Sequence, residues 1–159
     1  IVMIGNSHTE RGQWETLLGR TDVANRGIGS DVFEGYINRI DDVFDLDPSI
    51  CFIEGGGNDL GHDIPQHTII RNLAILIDTL KSKDIIPVLK TMDYVADNYK
   101  SDNPKEFNRR VKMLNRAIKA LAKEKNIRLI NINPKINGRA YLLKRYAIED
   151  GVHYTKEVY

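Results

Sequence analysis

The chain has 159 residues, which suits one domain with a sizeable core, and its 42% hydrophobic and 28% charged residues are ordinary for a globular protein. Its 23 basic and 22 acidic residues give a net charge of +1, so no overall electrostatic field favours nucleic acid or a membrane surface as a partner. No apolar stretch approaches the ~20 residues that a membrane span needs, and the single cysteine, Cys51, excludes an intrachain disulfide.

Short β-like runs alternate with longer helical patterns along the chain. The predicted elements, in chain order, are a strand over 1–4, a short helix near 14–18, a weak strand over 22–25, a helix from 31 to about 44, a strand over 50–54, a helix over 65–83, a strand over 85–89, a helix over 104–126 and a strand over 128–132. Two of the helices begin with capping patterns, Asp31 with Glu34 and Asn103 with Pro104. Residues 133–149 are predicted to be irregular.

Strands that alternate with helices of this length indicate βαβ units and a mostly parallel sheet with helices on both faces. In such sheets ligands bind outside the carboxyl ends of the strands. Polar groups follow four of the predicted strands and are expected to converge at that edge: Ser7, the turn at 27–31, Asn58 with Asp59, and Asp150 with His153.

Three of these residues have the chemistry of a hydrolytic triad. Ser7 is a candidate nucleophile, His153 a candidate base, and Asp150 could orient the imidazole. The order Ser…Asp…His, with two residues between Asp and His, differs from that of chymotrypsin and subtilisin. Thr9 stands where the second glycine of a G-x-S-x-G elbow belongs. The pattern therefore predicts a serine hydrolase of another kind, while a capping serine and an ordinary loop aspartate are the alternatives for Ser7 and Asp150.

At these positions the chain resembles the SGNH, or GDSL-like, hydrolases. The family has four blocks, which are Gly-Asp-Ser, a glycine-rich turn, Gly-x-Asn-Asp and Asp-x-x-His. The corresponding segments here are Gly5-Asn6-Ser7, NRGIGSD over 25–31, Gly56-Gly57-Asn58-Asp59 and Asp150-Gly151-Val152-His153. Each block alone is weak evidence, but the four occur in order and at family-like spacing over nearly the whole chain.

The resemblance implies an α/β fold, a three-layer α/β/α sandwich of the flavodoxin-like kind around a five-stranded parallel sheet. It implies that residues 1–159 are a single domain that lacks the family's extreme N-terminus and final C-terminal helix. It also implies ester hydrolysis through an acyl-serine without a cofactor. The oxyanion hole would consist of the Ser7 N–H, the Ser30 N–H and the Asn58 amide.

Two residues depart from the family pattern. Asn6 replaces the usual aspartate before the nucleophile, so the side chain keeps a hydrogen-bond acceptor but loses a charge. Ser30 replaces a glycine in the second block. Its backbone N–H can still serve as a donor, provided that the dihedral angles suit a residue with a Cβ.

The other polar and aromatic candidates have simpler interpretations. Neighbouring side chains on an extended segment point to opposite sides, so His8 is expected to miss the Ser7 hydroxyl and to line the cleft or contact solvent. His62 and His67 are expected to be exposed, and no histidine pair has the spacing of zinc ligands, so no metal site is predicted. Asp59 is expected to cap the segment that follows it. Three aromatic residues could line an acyl pocket, but their helical placement favours the core: Trp14, Phe33 and Tyr36.

The first functional hypothesis is a serine esterase that acts on a small acyl ester, with a carbohydrate O-acetylesterase as one form of it. The expected partner is therefore a small-molecule ester, such as an acetylated sugar, and not nucleic acid. The alternatives are a lysophospholipase or thioesterase, and a non-catalytic ligand-binding domain on the same scaffold. The chain starts at Ile1, already in a strand, so a cleaved signal peptide stays open and neither a secreted or periplasmic nor a cytoplasmic location is favoured.

Overall fold

The computed structural model describes residues 1–100 and 103–159 and contains, within those ranges, one sheet of five parallel strands. The strands are β1 (Val2–Gly5), β2 (Ala24–Gly27), β3 (Ile50–Ile53), β4 (Ile86–Lys90) and β5 (Arg128–Ile130). Their order across the sheet is β2-β1-β3-β4-β5. The predicted α/β class with a five-stranded parallel sheet is confirmed.

The helices of the described residues lie between these strands and after the last one. They are α1 (Ser7–Glu10), α2 (Trp14–Leu18), α3 (Phe33–Asn38), α4 (Asp41–Phe44), α5 (Gly57–Gly61), α6 (Gln66–Lys81), α7 (Pro104–Glu124) and α8 (Asn133–Ile136), followed by a 3₁₀ turn at Lys144–Tyr146. Helices α3, α6 and α7 share the main core with Ile4 and Ile53 of the sheet. Met3 and Phe52, whose side chains alternate with these, face α2 and the chain end. The sheet is therefore the middle layer.

The two long helices follow the predicted patterns closely. Helix α6 buries Ile69, Leu73, Ile77 and Leu80 at helical spacing. Helix α7 begins as predicted, because the Asn103 side chain accepts a hydrogen bond from the Glu106 N–H at 3.0 Å. The sequence thus specifies both helices locally, through their apolar stripe and, for α7, through its cap.

The helix predicted from Asp31 to about Phe44 is wrong in its start and its continuity. Asp31 does not cap it, since Val32 precedes the first helical residue and no side chain of that residue caps the helix. The Asp31 carboxylate instead pairs with Arg39, at 2.8 Å, and this ion pair joins two segments eight residues apart. The single predicted helix is two short ones, α3 and α4, which are separated at Arg39 and Ile40.

Two strand details depend on pairing partners that lie far away in the sequence. Strand β2 lies two residues later than predicted, because it pairs with β1 from Val2 to Gly5 and so extends to Gly27. Pro87 is accommodated inside β4 because β5 begins to pair only at Val88. At Pro87, β4 is therefore still an edge strand, where a missing N–H costs no ladder bond.

The chain after β5 is less irregular than predicted, since it contains α8 and the 3₁₀ turn. A small apolar cluster of Ala96, Ile136, Leu142 and Tyr154 packs this segment against the residues that follow β4. Within the described residues, no helix has the length and apolarity that crossing a membrane requires.

Candidate active site

The carboxyl ends of the strands bring the predicted site residues to one edge of the sheet. Ser7 is the first residue of α1, directly after β1, and Asn58 lies in α5 after β3. Ser30 belongs to the turn after β2, and Gly29 beside it lies close to the nucleophile, since a Cβ on Gly29 would be 4.0 Å from the Ser7 Cβ. His153 reaches the same place from the final loop of the chain.

Ser7, His153 and Asp150 form a continuous hydrogen-bonded chain. The Ser7 Oγ lies 2.7 Å from the His153 Nε2. The His153 Nδ1 lies 2.6 Å from the Asp150 Oδ2. These distances allow the imidazole to accept the serine proton on one side while it donates to the carboxylate on the other.

The Asp150 carboxylate is held by more than the histidine ring. Its Oδ1 accepts the backbone N–H groups of Val152 and His153, each at 2.9 Å. Partial burial opposes ionisation, but the hydrogen bonds from the His153 ring and from these two N–H groups outweigh it and lower the pKa of Asp150 to about 2. The carboxylate is therefore ionised at neutral pH, as a partner of an imidazolium must be.

The segment around Ser7 is helical, which corrects the premise on which His8 was assessed. Asn6 caps α1, and its Oδ1 accepts the His8 N–H at 2.9 Å. Successive side chains are therefore about 100° apart around a helix and not on opposite sides of a strand. The asparagine that replaces the family's aspartate keeps the acceptor function of that position.

His8 lines the pocket beside Ser7, which is one of the two environments expected for it. Its ring is surrounded mainly by other side chains and not by solvent. Its ring centroid lies 4.2 Å from that of Tyr154 and 5.3 Å from that of His153. Burial, followed by the nearby Lys90 and His153, lowers the pKa of His8 well below its ordinary value. His8 is thus a neutral packing neighbour of the histidine that contacts Ser7.

Resemblance assigns three groups to an oxyanion hole. Ser7 and Asn58 line one small pocket, and Ser30 follows Gly29, which lies close to Ser7. The Asn58 amide donates one N–H to the Asp31 carbonyl at 2.8 Å, which fixes the side chain and leaves its second N–H. Neither the Ser7 N–H nor the Ser30 N–H donates to an acceptor within the described residues. Two main-chain donors and one amide are therefore available at this edge of the sheet.

Ser30 has a φ of 65°, in the left-handed region. A residue with a Cβ pays on the order of 1 kcal/mol for this conformation relative to glycine. The backbone thus retains the geometry of a glycine position although the residue is a serine.

Asp59 and the two remaining histidines lie outside the hydrogen-bonded chain of Ser7, His153 and Asp150. Asp59 does not cap the segment that follows it, because its Oδ1 accepts the Phe33 N–H at the start of α3, at 3.3 Å. Its Oδ2 is buried without a partner within the described residues, and burial raises the pKa of Asp59 to about 6. His62 and His67 are exposed as predicted.

The aromatic residues divide between core and cavity. Phe33 and Tyr36 are buried in the main core, as predicted. Trp14 is half-buried and instead lines an apolar cavity of about 260 Å³ on the α2 side of the sheet.

A small pocket of about 60 Å³ adjoins Ser7 and Asn58. Its apolar wall consists of Met92, Val95, Tyr99, Phe107 and Val152. Four of these five side chains come from the segment after β4 and the start of α7, where sequence reasoning placed no site residue. The size of this pocket limits what can lie beside the nucleophile.

A buried polar cluster in the wall of the pocket was also not predicted from the sequence. The Asp93 carboxylate accepts hydrogen bonds from the Tyr154 hydroxyl and the Lys90 ammonium. Glu54 lies nearby, and burial raises its pKa. The available signal was positional, since Lys90 is the last residue of β4, Asp93 follows three residues later and Tyr154 comes directly after His153.

Comparisons with known proteins identify the family and the fold of the chain. The sequence profile of the GDSL-like Lipase/Acylhydrolase family matches residues 4–159. A GDSL-like lipase from Bacteroides thetaiotaomicron is 26% identical, with a TM-score of 0.84 over 98% of this chain and 80% of that chain. No curated protein matches the chain.

Two further solved structures share the fold at lower identity. An acetyl xylan esterase is 21% identical with a TM-score of 0.77, over 99% of this chain and 93% of that one. A lipase/acylhydrolase from Enterococcus faecalis is 20% identical with a TM-score of 0.77, over 99% of this chain and 88% of that one.

Proposed function

The chain belongs to the GDSL-like lipase/acylhydrolase family, and on that premise we propose that it is a serine esterase that releases small acyl groups through an acyl-Ser7 intermediate. The observation that carries the proposal is the hydrogen-bonded chain from the Ser7 Oγ through His153 to Asp150.

The acylation step follows from these contacts. The Ser7 Oγ attacks the ester carbonyl carbon while His153 Nε2 takes the hydroxyl proton, which gives a tetrahedral oxyanion and an imidazolium. The ionised Asp150 stabilises that imidazolium. His153 then returns the proton to the alcohol oxygen, so that the alcohol leaves and Ser7 carries the acyl group.

The oxyanion is the group that the neighbouring donors would serve. We assign the Ser7 N–H, the Ser30 N–H and the Asn58 amide to it. Ser7 and Asn58 line one pocket, and Ser30 follows Gly29, which lies close to Ser7. Donors fixed in advance are effective because they need no reorganisation as the charge develops. Asn58 is fixed by its bond to the Asp31 carbonyl.

Deacylation repeats the same steps with water. His153 takes a proton from the water as it attacks the acyl carbonyl, and then protonates the Ser7 Oγ as the acid leaves. Ester and water are thus converted to acid and alcohol, and the serine is regenerated.

The pocket beside Ser7 supports a small acyl group. Its volume of about 60 Å³ is small beside the neighbouring apolar cavity of about 260 Å³. Its apolar wall includes Met92 and Val95, which are buried and therefore favour a short acyl group. The structural likeness to an acetyl xylan esterase gives a reason to place a sugar on the alcohol side, and we propose a carbohydrate O-acetylesterase.

One observation favours a second candidate, an esterase or thioesterase for longer acyl chains. The apolar cavity of about 260 Å³ shares His8, Glu54 and Tyr154 with the small pocket as common walls. A longer chain would reach this cavity only if those side chains moved apart.

A panel of p-nitrophenyl esters from acetate to palmitate, run beside an acetylated xylo-oligosaccharide, tests the proposal. We expect the highest kcat/KM for acetate, a steep fall beyond propionate, and release of acetate from the sugar. A maximum at octanoate or longer would favour the second candidate. No hydrolysis of any ester would contradict the esterase proposal and leave a ligand-binding domain.

A further inference from the structure

The segment after β4 supplies part of the pocket wall, yet it lacks regular secondary structure. Residues 91–96 belong to no helix or strand, although the Thr91 N–H still donates to the Ile130 carbonyl of β5 at 2.9 Å. Met92, Val95 and Ala96 are nevertheless buried. Buried backbone N–H and C=O groups need partners, since an unpaired group costs about 1–3 kcal/mol.

Two buried asparagines of α7 pair with the backbone of Met92 and Val95, whose carbonyls also accept the Asn133 side-chain N–H at 3.0 Å and the Leu142 N–H at 3.1 Å. The Asn115 Oδ1 accepts the Met92 N–H at 2.8 Å, and its Nδ2 donates to the Met92 carbonyl at 2.6 Å. The Asn108 Oδ1 accepts the Val95 N–H at 2.8 Å, and its Nδ2 donates to the Val95 carbonyl at 2.8 Å. Each amide therefore pairs with one residue in the way that a neighbouring strand would.

The spacing of the two amides matches the spacing of the residues they hold. Asn108 and Asn115 are seven residues apart, which is ~10.5 Å along a helix. Met92 and Val95 are three residues apart, which is ~10–11 Å for extended chain. Helix α7 thus holds this segment at two points along its length.

The held residues contact the site on two sides. Met92 packs beside the Asn58 segment, since its Cε lies 3.2 Å from the position that a Cβ on Gly57 would occupy. The Ala96 N–H donates to the Gly151 carbonyl at 2.7 Å, within the loop that carries Asp150 and His153. Gly151 has a φ of 72°, and a Cβ there would lie 2.7 Å from the Tyr99 nitrogen, so loop and segment approach closely.

We propose that Asn115 and Asn108 are positioning residues of the esterase, in which Asn115 fixes the Met92 wall that limits acyl length and Asn108 fixes the contact with the Asp150–His153 loop. This inference rests on the proposed function. Neither asparagine touches the reacting atoms, so each acts through the backbone that it holds.

The test compares substrates on one preparation of each variant. The ratio of kcat/KM for p-nitrophenyl acetate to that for the butyrate does not depend on the folded fraction, so a merely structural role would not move it. We expect Asn115→Ala to lower this ratio at least about fivefold, because a methylene against a fixed pocket wall is worth roughly 10–200-fold. Asn115→Asp keeps the acceptor for the Met92 N–H but loses the donor, and should lower the ratio in the same direction.

The second variant tests the loop contact. Asn108→Ala should slow covalent labelling by a fluorophosphonate, per folded molecule, at least about fivefold, while the acetate-to-butyrate ratio changes less than in Asn115→Ala. Arg116→Ala, an exposed residue of the same helix, is the matched control and should leave both readouts unchanged.

The outcomes separate this inference from the proposed function. A wild-type chain that hydrolyses neither ester and takes up no label would overturn the proposed function itself. An active wild type with an unchanged ratio in both Asn115 variants, or with unchanged labelling in Asn108→Ala, would overturn the corresponding positioning role. Failure of both Asn115 variants to fold would show a structural role alone and would also count against the proposal.

Discussion

Two histidines lie within reach of the proposed nucleophile, and their environments assign them different parts. His153 has a hydrogen-bond partner at each ring nitrogen, Ser7 and Asp150. The His8 Nδ1 is buried without a partner within the described residues. A general base must gain a proton during the reaction, and burial beside Lys90 opposes this at His8.

We therefore expect Ser7→Ala and His153→Ala to lower kcat by a factor on the order of 10⁶, and Asp150→Asn by about 10⁴. His8→Gln, which removes an imidazole next to the same site, should retain activity within about tenfold. Steady-state hydrolysis of p-nitrophenyl acetate measures all four. A collapse of activity in His8→Gln with a mild effect in His153→Ala would reverse the assignment.

Asn58 would act only when negative charge develops on the substrate oxygen. Asn58→Ala should lower kcat by about 10²–10³ while KM changes little, because the ester carbonyl carries less charge than the intermediate. Asn58→Asp is a useful companion, since it keeps the size of the side chain but removes the donor. A raised KM at constant kcat would show that Asn58 binds the ground state, and the oxyanion assignment would fail.

The left-handed backbone conformation of Ser30 allows a test of whether this residue serves the oxyanion hole through its backbone N–H or through its hydroxyl. Ser30→Gly relieves a conformation that costs a side chain on the order of 1 kcal/mol, although glycine also gains entropy in the unfolded state. We expect kcat/KM to stay within about threefold and the free energy of unfolding to rise by up to ~1 kcal/mol, measured by urea denaturation. A large loss of activity would implicate the Ser30 hydroxyl.

Among the secondary-structure elements, the ones with local determinants were predictable from the sequence. Helix α7 carries its own cap, Asn103, and its own apolar stripe, so its start could be predicted. Helix α3 is capped by Asp59, which lies 26 residues away, while Asp31 is engaged by Arg39. The periodicity of residues 31–44 indicates neither the distant contact from Asp59 nor the ion pair between Asp31 and Arg39, and the predicted start was therefore wrong.

In the candidate site, too, the residues marked by local motifs were predictable and those held by distant partners were not. The motifs predicted from the sequence that four residues meet at one site, because parallel strands present their carboxyl ends at one edge of the sheet. These residues are Ser7, Asn58, Asp150 and His153. The segment after β4 could not be predicted as part of the pocket, since asparagines more than ten residues later in the sequence hold it in place. Long-range side-chain to backbone contacts leave no periodic signal.

The burial of the Asp59 carboxyl group predicts a pH-dependent stability. The pKa of Asp59 is raised by burial from 3.8 to about 6, so the folded state binds this proton more tightly than the unfolded state. The contribution of this bound proton to the free energy of unfolding is present in full below pH ~4 and is lost as the pH rises through about 6.

Asp59→Asn keeps an oxygen for the Phe33 N–H but carries no charge. We expect it to raise the free energy of unfolding at pH 8 by about 1–3 kcal/mol, and to give no gain at pH 4. Urea denaturation at both pH values measures this difference. An equal effect at both pH values would mean that the mutation acts through packing and not through the buried charge.

At the scale of the whole molecule, the parallel sheet makes a site from segments that are far apart in the chain. Ser7 and His153 are 146 positions apart, yet their side chains are in hydrogen-bond contact. The segment after β4, which α7 holds in place, contacts Gly57 beside Asn58 and Gly151 in the loop that carries His153. That residues 1–159 form a single domain stays a prediction.

Covalent labelling of Ser7 tests the central claim most directly. The chain is incubated with a fluorophosphonate, the remaining esterase activity is followed, and the modified residue is located by peptide mass spectrometry. We expect one adduct per chain, on Ser7, that forms in parallel with the loss of activity, and no adduct in His153→Ala over the same time. Full activity in a chain whose Ser7 is completely modified, or an adduct that inactivates from another residue, would contradict the acyl-Ser7 mechanism.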